Sequence, residues 1–118
     1  MSSSLYQQHC EPCMLGSRPM SAEQSNLLLT SVPRWKKITV DGVEQLRREF
    51  HFKDFKQALD FTLKIGLLAE REGHHPTLLT EWGKVTVNWW THKAGGLHNN
   101  DFVMAAKSDL IANKATEK

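Results

Sequence analysis

The sequence lacks most of the features that mark a specialised class of protein. It has two cysteines, Cys10 and Cys13, which are too few for a disulfide scaffold and fit a reducing cytoplasm. No segment approaches the ~18 consecutive apolar residues of a membrane helix, and the opening residues MSSSLYQQHCEP contain neither the basic nor the apolar region of a secretory signal. The net charge of +2 gives no reason to expect a nucleic-acid partner. These absences favour a cytoplasmic protein that binds neither membrane nor nucleic acid.

One domain is expected from a chain of 118 residues. A domain near this length buries roughly two-thirds of the surface that its unfolded chain exposes, so it can hold a core without cross-links. Residues 1–19 show no clear periodicity and contain two prolines and a glycine, which predicts an N-terminal arm. Residues 20–114 are expected to form the domain, and residues 115–118 are expected to fray.

Turn and cap residues divide the domain into seven elements. Ser21 and Gln24 match a capping box at the start of the first helix, and Pro33 is expected to end that segment. The elements predicted after it are strands at 34–40 and 46–52 around Asp41-Gly42, a helix at about 54–72, strands at 77–82 and 84–92 around Gly83, and a helix from Asn99 or Asn100. The order α-β-β-α-β-β-α predicts an α+β fold, with a four-stranded, mostly antiparallel sheet and three helices packed on one face.

The central helix is predicted to bury one apolar face. At 100° per residue, the residues that share this face are Phe55, Ala58, Leu59, Thr62, Ile65, Gly66 and Ala69. Leu67 lies among polar residues on the opposite face, which predicts a contact with another subunit. Glu70 lies on the flank of the apolar face, an unusual place for a carboxylate, and Gly73 is expected to cap the helix. The residues expected on one side of the last helix are Phe102, Val103, Ala106 and Leu110.

Two adjacent histidines favour proton-transfer chemistry over metal binding. His74 and His75 precede Pro76, which keeps both residues extended and outside the helix. Neighbouring side chains on an extended chain point in opposite directions, so the pair is better placed to line two sides of a cleft than to chelate one ion. A zinc site, the rival interpretation, needs three or four converging ligands. Histidine itself titrates near neutral pH.

A third histidine, His92, is expected to approach this pair. The second hairpin brings residues 75–77 opposite residues 90–92, so His92 can meet one of the two adjacent histidines. Trp90 lies on the same side of its strand as His92, and Asp101 opens the helix that follows. The cluster predicts a site for proton transfer on a flat ligand.

Two other motifs have plainer interpretations. The C-x-x-C motif in the N-terminal arm has no second cysteine pair and no βαβ pattern after it, which favours loosely packed thiols over half a zinc site or a redox pair. The basic pairs Lys36-Lys37 and Arg47-Arg48 would suit RNA. On adjacent strands they favour a solvated sheet face or a subunit contact instead.

The histidine-rich segment resembles the pterin-4a-carbinolamine dehydratases, also called 4a-hydroxytetrahydrobiopterin dehydratases. The positions that match the family pattern in order and spacing are Glu70, His74-His75-Pro76, Trp82, His92 and Asp101. The resemblance implies the same element order. It also implies a hydro-lyase that removes water from 4a-hydroxytetrahydrobiopterin to give quinonoid dihydropterin, and so recycles the cofactor of aromatic amino-acid hydroxylases. That reaction requires no metal and no further cofactor.

The resemblance implies catalytic roles for three histidines. His75 and His92 are expected to act as general acid and base at the pterin atoms C4a and N5, in an order that the sequence leaves open. His74 is expected to assist, by acting on the other diastereomer of the hydroxypterin or by binding.

The resemblance also implies three substrate-binding residues. Glu70 is expected to orient a histidine or to contact the polar edge of the pterin. Asp101 is expected to position His92 or the substrate, and Trp90 to line the flat face of the ring.

A binding role is the alternative function. Animal members of the family also serve as dimerisation cofactors of a homeodomain transcription factor, and a binding module for a phenylalanine hydroxylase is a milder version. Such a role predicts sensitivity at helix surface positions such as Leu67 and indifference at the histidines. Free sheet edges gain by pairing and family members form dimers or tetramers, so a homodimer or homotetramer is expected.

Overall fold

The structure, a computed structural model, describes residues 20–91 and 95–114. The predicted N-terminal arm with Cys10 and Cys13, the catalytic candidate His92 and the C-terminal tail lie outside the described residues. The predicted division of the chain into arm, domain and tail therefore stays a prediction. Among the helices of the described ranges, none is long and apolar enough to cross a membrane.

Seven elements follow one another in the predicted order. They are α1 Ala22–Leu29, β1 Lys36–Val40, β2 Val43–His51, α2 Phe55–Glu72, β3 Thr77–Glu81, β4 Lys84–Trp89 and α3 Asn99–Lys114. The four strands form one sheet in the order β1-β2-β4-β3, and each neighbouring pair is antiparallel. The predicted α+β fold with its four-stranded antiparallel sheet is confirmed.

Side-chain caps set the starts of the first two helices. Ser21 Oγ accepts a hydrogen bond from the Gln24 N–H at 3.2 Å, and Asp54 caps α2 in the same way at 2.9 Å. The predicted end of the first helix was too late, because α1 stops at Leu29 rather than at Pro33. After Leu29 the backbone hydrogen bonds join residues three apart, as in a tighter 3₁₀ turn. The α-helix therefore ends several residues before Pro33, and the proline is not what terminates it.

Glycines close both hairpins for different reasons. Asp41 and Gly42 have φ angles of 50° and 79°, and a two-residue turn with two positive φ angles matches the twist of the flanking strands. At Gly83 the reason is space, since a Cβ would lie 3.0 Å from the Phe52 carbonyl oxygen. The Phe52 N–H donates to the Gly83 carbonyl at 2.8 Å, which fixes the end of β2 against the second turn.

The core lies on one face of the sheet. Val85, Val87 and Trp89 of β4 are buried on this face, as predicted, and Leu46 and Phe50 lie beside them in β2. Alternate residues along these strands therefore form a continuous apolar layer.

The helices cover that apolar layer. Phe61 of α2 packs on Phe50 with 4.6 Å between the ring centroids, and Trp89 donates its ring N–H to α3. On the edge strand β1, the Lys37 ammonium donates to the Ser25 hydroxyl of α1 at 2.9 Å. Contacts from all three helices thus reach the same side of the sheet.

The apolar face predicted for α2 was right at Ala58, Ile65 and Ala69 but was rotated by roughly 70° from the buried face, counted at 100° per residue. The residues that α2 buries are Ala58, Phe61, Ile65, Leu68 and Ala69. Phe55 and Leu59, both expected inside, are 45% and 51% exposed. The helix carries two apolar stripes and the predicted face lay between them. Ring contacts of Phe61 with Phe50 and Phe52 decide which stripe meets the sheet.

The single apolar side predicted for α3 was also incomplete. Phe102 and Val103 are buried as expected, but Ala106 and Leu110 are only half-buried. The residues of α3 buried in addition are Asn100, Asp101, Met104, Ala105, Ser108 and Ala112. The first turns of α3 are enclosed by the sheet and α2 together, so burial there does not follow one stripe.

Candidate active site

The two adjacent histidines diverge at the end of α2. Gly73 adopts the left-handed conformation at φ 66°, and the His74 N–H donates to the Ala69 carbonyl at 3.1 Å, which closes the helix. The next two residues, before Pro76, belong to neither helix nor strand, and their side chains meet carboxylates on different helices, Asp101 of α3 and Glu70 of α2. The side chain of His74 is 8% exposed and that of His75 is 58% exposed. The predicted opposite orientation of the pair is confirmed.

His74 is held on two sides. Its Nε2 lies 2.6 Å from Oδ1 of Asp101. Its ring stacks on Trp89 with 5.7 Å between the centroids and 12° between the planes. The Trp89 ring N–H donates to the Ser108 hydroxyl at 3.1 Å, which keeps the stacking partner in place. Because an ionised carboxylate only accepts hydrogen bonds, Nε2 of His74 carries a proton in this contact.

Asp101 is the centre of this network. Its side chain is fully buried in the first turn of α3, where the helix dipole favours a negative charge. Its Oδ2 accepts from the Thr91 hydroxyl and from the His98 N–H, both at 2.9 Å. His98 in turn accepts the Asn100 N–H on Nδ1 at 3.1 Å, so it and Asp101 cap the helix reciprocally. Burial and three donors favour a positioning role for Asp101 over direct contact with a ligand.

Glu70 and His75 form the second pair. Glu70 Oε2 lies 2.5 Å from Nε2 of His75, across the end of α2. The Glu70 side chain is 75% exposed, so an ion pair here contributes little to stability. The contact supports the expectation that Glu70 orients a histidine at a surface open to solvent.

The predicted aromatic residues lie in different places. Trp90 directly follows β4 and is half-buried, between Trp89 and Thr91, which both belong to the His74 network. Its expected contact with a flat ligand stays a prediction. Trp82 is 70% exposed at the turn between β3 and β4. The whole length of β3 separates it from His75, so the structure does not bring it to the adjacent pair His74 and His75.

Sequence reasoning missed three members of the network. Ser108 follows Asp101 by seven residues, a helical spacing that could have placed both on one side of α3. Thr91 and the His98 amide gave no comparable signal, because their contacts with Asp101 depend on how the chain returns after β4. That return is visible in the bridge between Thr91 and Gly96.

The described ranges 20–91 and 95–114 contain no group of three His, Cys, Asp or Glu side chains that could hold a metal ion. The site consists instead of two carboxylate–histidine pairs, one buried and one exposed. A histidine held by a carboxylate can donate or accept a proton at a fixed position, which suits acid–base chemistry.

A second, partly buried polar cluster is formed by Asp109, Trp35 and Arg48. Asp109 Oδ1 accepts from Trp35 Nε1 at 2.8 Å and from the Arg48 guanidinium at 2.5 Å. Burial raises the pKa of the Asp109 carboxyl, and the hydrogen bond from Trp35 and the charge of Arg48 oppose that shift. This cluster ties α3 to the sheet and takes Arg48 out of the basic surface that the sequence suggested.

The comparisons with known proteins agree on one family. The chain matches the family model described as pterin 4 alpha carbinolamine dehydratase over residues 18–111. A protein of Chlorobaculum tepidum named "Putative pterin-4-alpha-carbinolamine dehydratase" is 52% identical over 107 residues, which are 91% of this chain and 96% of that protein. A protein of Marinobacter nauticus with the same name is 54% identical over 109 residues, or 92% and 98% of the two chains.

Solved structures give the same fold. A Brucella melitensis protein described as a transcriptional coactivator/pterin dehydratase is 34% identical with a TM-score of 0.73, over 80% of this chain and 99% of that one. A pterin dehydratase-like protein described as a RuBisCO assembly factor in the alpha-carboxysome is 20% identical with a TM-score of 0.56, over 66% and 88%. The second likeness shows the fold alone.

Proposed function

Because the chain belongs to the pterin 4 alpha carbinolamine dehydratase family, we propose that it dehydrates 4a-hydroxytetrahydrobiopterin by general acid–base catalysis at its histidines. The observation that carries the proposal is the pairing of each adjacent histidine with its own carboxylate. Asp101 holds His74 in the interior, and Glu70 meets His75 at the surface. Such pairs give an imidazole a fixed orientation and a defined protonation pattern.

The reaction needs one proton delivered and one removed. The C4a hydroxyl leaves with its electron pair and a proton from the general acid, as water. The base takes the N5 proton, and the C4a–N5 double bond of the quinonoid dihydropterin forms. Each positioned group contributes typically 10²–10⁴-fold to the rate of such a step.

The residues divide this work by their exposure. His75 is exposed and lies beside Glu70, so it can reach a substrate in an open cleft and act as acid or base. His74 supports the site from behind, through Nδ1 of a ring whose Nε2 is held by Asp101. His92 is the third catalytic histidine of the proposal on the strength of the sequence pattern. Trp90 lines the flat face of the pterin.

The cellular role follows from the product. Quinonoid dihydropterin is the form that a reductase returns to tetrahydrobiopterin, so the enzyme serves an aromatic amino-acid hydroxylase such as phenylalanine hydroxylase, in the cytoplasm.

Histidine variants test the proposal directly. His75→Ala and His92→Ala are expected to fold and to lower the dehydration rate by about 10²-fold or more, because each removes a proton-transfer group. The measurement is stopped-flow decay of 4a-hydroxytetrahydropterin. His51→Ala is the matched control, since His51 is exposed at the end of β2 that pairs with Lys84, at the far end of the second hairpin. Near wild-type rates for both site variants would contradict the mechanism.

An exposed apolar surface on α2 supports self-association. The α2 leucine stripe consists of Leu59, Leu63 and Leu67, which recur every four residues and are 51%, 61% and 61% exposed. Leu67 is thus exposed, as its predicted subunit contact requires. Contiguous exposed apolar surface of this kind marks an interaction site. The proposed occupant is the same stripe of a second copy, in a homodimer or homotetramer.

The oligomer has its own test. Leu63→Arg is expected to dissociate it in light scattering coupled to size exclusion, because a charge in an apolar interface is costly. Leu27→Arg is the control, since Leu27 is 72% exposed on α1. A wild-type monomer, or an unchanged mass for Leu63→Arg, would contradict the proposal. The alternative role as a binding module predicts a different pattern. Variants in the α2 leucine stripe would then abolish the protein's biological activity, and His75→Ala and His92→Ala would leave it unchanged.

A further inference from the structure

Thr91 lies beside the buried carboxylate–histidine pair, through its contact with Asp101. It directly follows Trp90, is 2% exposed, and forms an isolated bridge to Gly96. Its backbone N–H donates to the Gly96 carbonyl at 2.8 Å, and its own carbonyl accepts the Gly95 N–H at 3.0 Å. The main chain of Thr91 is therefore fixed, which leaves its hydroxyl a defined direction.

That hydroxyl is directed at the buried carboxylate. Thr91 Oγ1 donates to Oδ2 of Asp101 at 2.9 Å, beside the His98 N–H on the same oxygen. With two donors on Oδ2, the other oxygen is left to face Nε2 of His74 at 2.6 Å. The two donors on Oδ2 thus fix the rotation of the Asp101 carboxylate. The position of Oδ1 then determines which nitrogen of the His74 ring carries the proton.

We infer that Thr91 is a positioning residue, which acts through Asp101 to hold His74 as the tautomer protonated on Nε2 with Nδ1 free to accept. This inference rests on the proposed function for its kinetic consequence. Its structural consequence, the tautomer of His74, does not depend on any substrate.

The test compares three variants of buried threonines. Thr91→Val keeps the shape and removes the donor, and Thr91→Ser keeps the donor and removes the methyl group. Thr86→Val is the matched control, because Thr86 in β4 is 5% exposed and its hydroxyl has no partner among the described residues. All three changes are small enough to leave the fold in place, which melting curves check.

The expected results differ between the variants. Thr91→Val lowers kcat roughly tenfold with little change in KM, as one lost hydrogen bond to a charged group can do. Thr91→Ser and Thr86→Val stay near wild type. In ¹H–¹⁵N spectra of the histidine rings, His74 of the wild type shows one tautomer, protonated on Nε2. Thr91→Val shows exchange between the two tautomers or a broadened signal.

Each contrary result has a distinct meaning. Thr91→Val with wild-type kcat and a wild-type His74 spectrum overturns the inference, and so does Thr91→Ser as impaired as Thr91→Val, since the methyl group would then be what matters. A wild-type protein without dehydratase activity refutes the proposed function. In that case the His74 spectra alone decide the inference, because they require no turnover.

Discussion

Replacing Asp101 by asparagine should reverse the tautomer of His74. The asparagine side chain has the shape of aspartate but offers one acceptor oxygen and one donor NH₂. Oδ2 of Asp101 accepts the His98 N–H, a backbone donor that cannot invert, together with the Thr91 hydroxyl. The amide oxygen must therefore take that position. Its NH₂ then faces Nε2 of His74, which lies 2.6 Å from the carboxylate oxygen in the wild type.

Two donors cannot face each other at that distance, so Nε2 has to give up its proton and Nδ1 has to take it. The free energy of unfolding is expected to fall by about 1.5–3 kcal/mol, the range for a hydrogen bond to a charged group. The dehydration rate is expected to fall at least about tenfold, because Nδ1 of His74 then donates at the position where the wild-type ring accepts. Stopped-flow decay of the 4a-hydroxypterin measures the rate, and ring ¹⁵N shifts measure the tautomer.

Asp109→Asn is the matched control for this experiment. It makes the same change in the same helix, at a carboxylate that accepts from Trp35 and Arg48 and lies outside the histidine network. It should lower stability without changing the rate per folded molecule. A folded Asp101→Asn protein with a near wild-type rate, or with the wild-type His74 tautomer, would refute the reasoning.

Two further predictions concern stability. Burial raises the pKa of Asp109 above its ordinary 3.8, so the stability contributed by its protonated form is present below that value and is lost as the pH rises through the raised pKa. Urea unfolding at a series of pH values should show the free energy of unfolding of the wild type falling relative to that of Asp109→Asn as the pH rises from 3.8 through the raised pKa. A difference between the two proteins that does not change with pH would contradict the prediction. Gly83→Ala should destabilise by about 1–2 kcal/mol, because its Cβ meets the Phe52 carbonyl at 3.0 Å. Gly66→Ala, in open space within α2, should instead stabilise by about 0.5–1 kcal/mol, and equal effects of the two changes in thermal unfolding would be the contrary result.

The sequence predicts those parts of the fold that depend on local chemistry. Ser21, Gly73 and Gly83 mark a cap, a helix end and a turn through interactions within a few residues, and all three lie where they were expected. The divergence of the two adjacent histidines likewise needs only an extended chain before proline. These features follow from steric rules that act before any tertiary contact forms.

The parts that the sequence did not predict depend on contacts distant in the chain. The buried face of α2 is decided by the packing of Phe61 against Phe50 of β2, and two apolar stripes satisfied the helical period equally well. In the site, the contacts of Asp101 with His74 and Thr91 were not predicted, and its expected role towards His92 or the substrate stays a prediction because His92 lies outside the described residues. The partners of the Asp101 carboxylate depend on how the segment after α2, the segment after β4 and the start of α3 meet in the fold. The residue spacing within any one of these segments does not predict that meeting.

The divergence of His74 and His75 also gives the two residues unequal access to bulk water. A histidine that is 58% exposed beside an exposed carboxylate can exchange protons with buffer between turnovers. A neighbour that is 8% exposed, stacked on a tryptophan and bound to a buried carboxylate has little contact with the medium. Two histidines joined by one peptide bond thus differ in their access to the medium: His75 is open to it and His74 is nearly closed off. In the proposed mechanism, protons from the medium therefore enter the site from the side of His75.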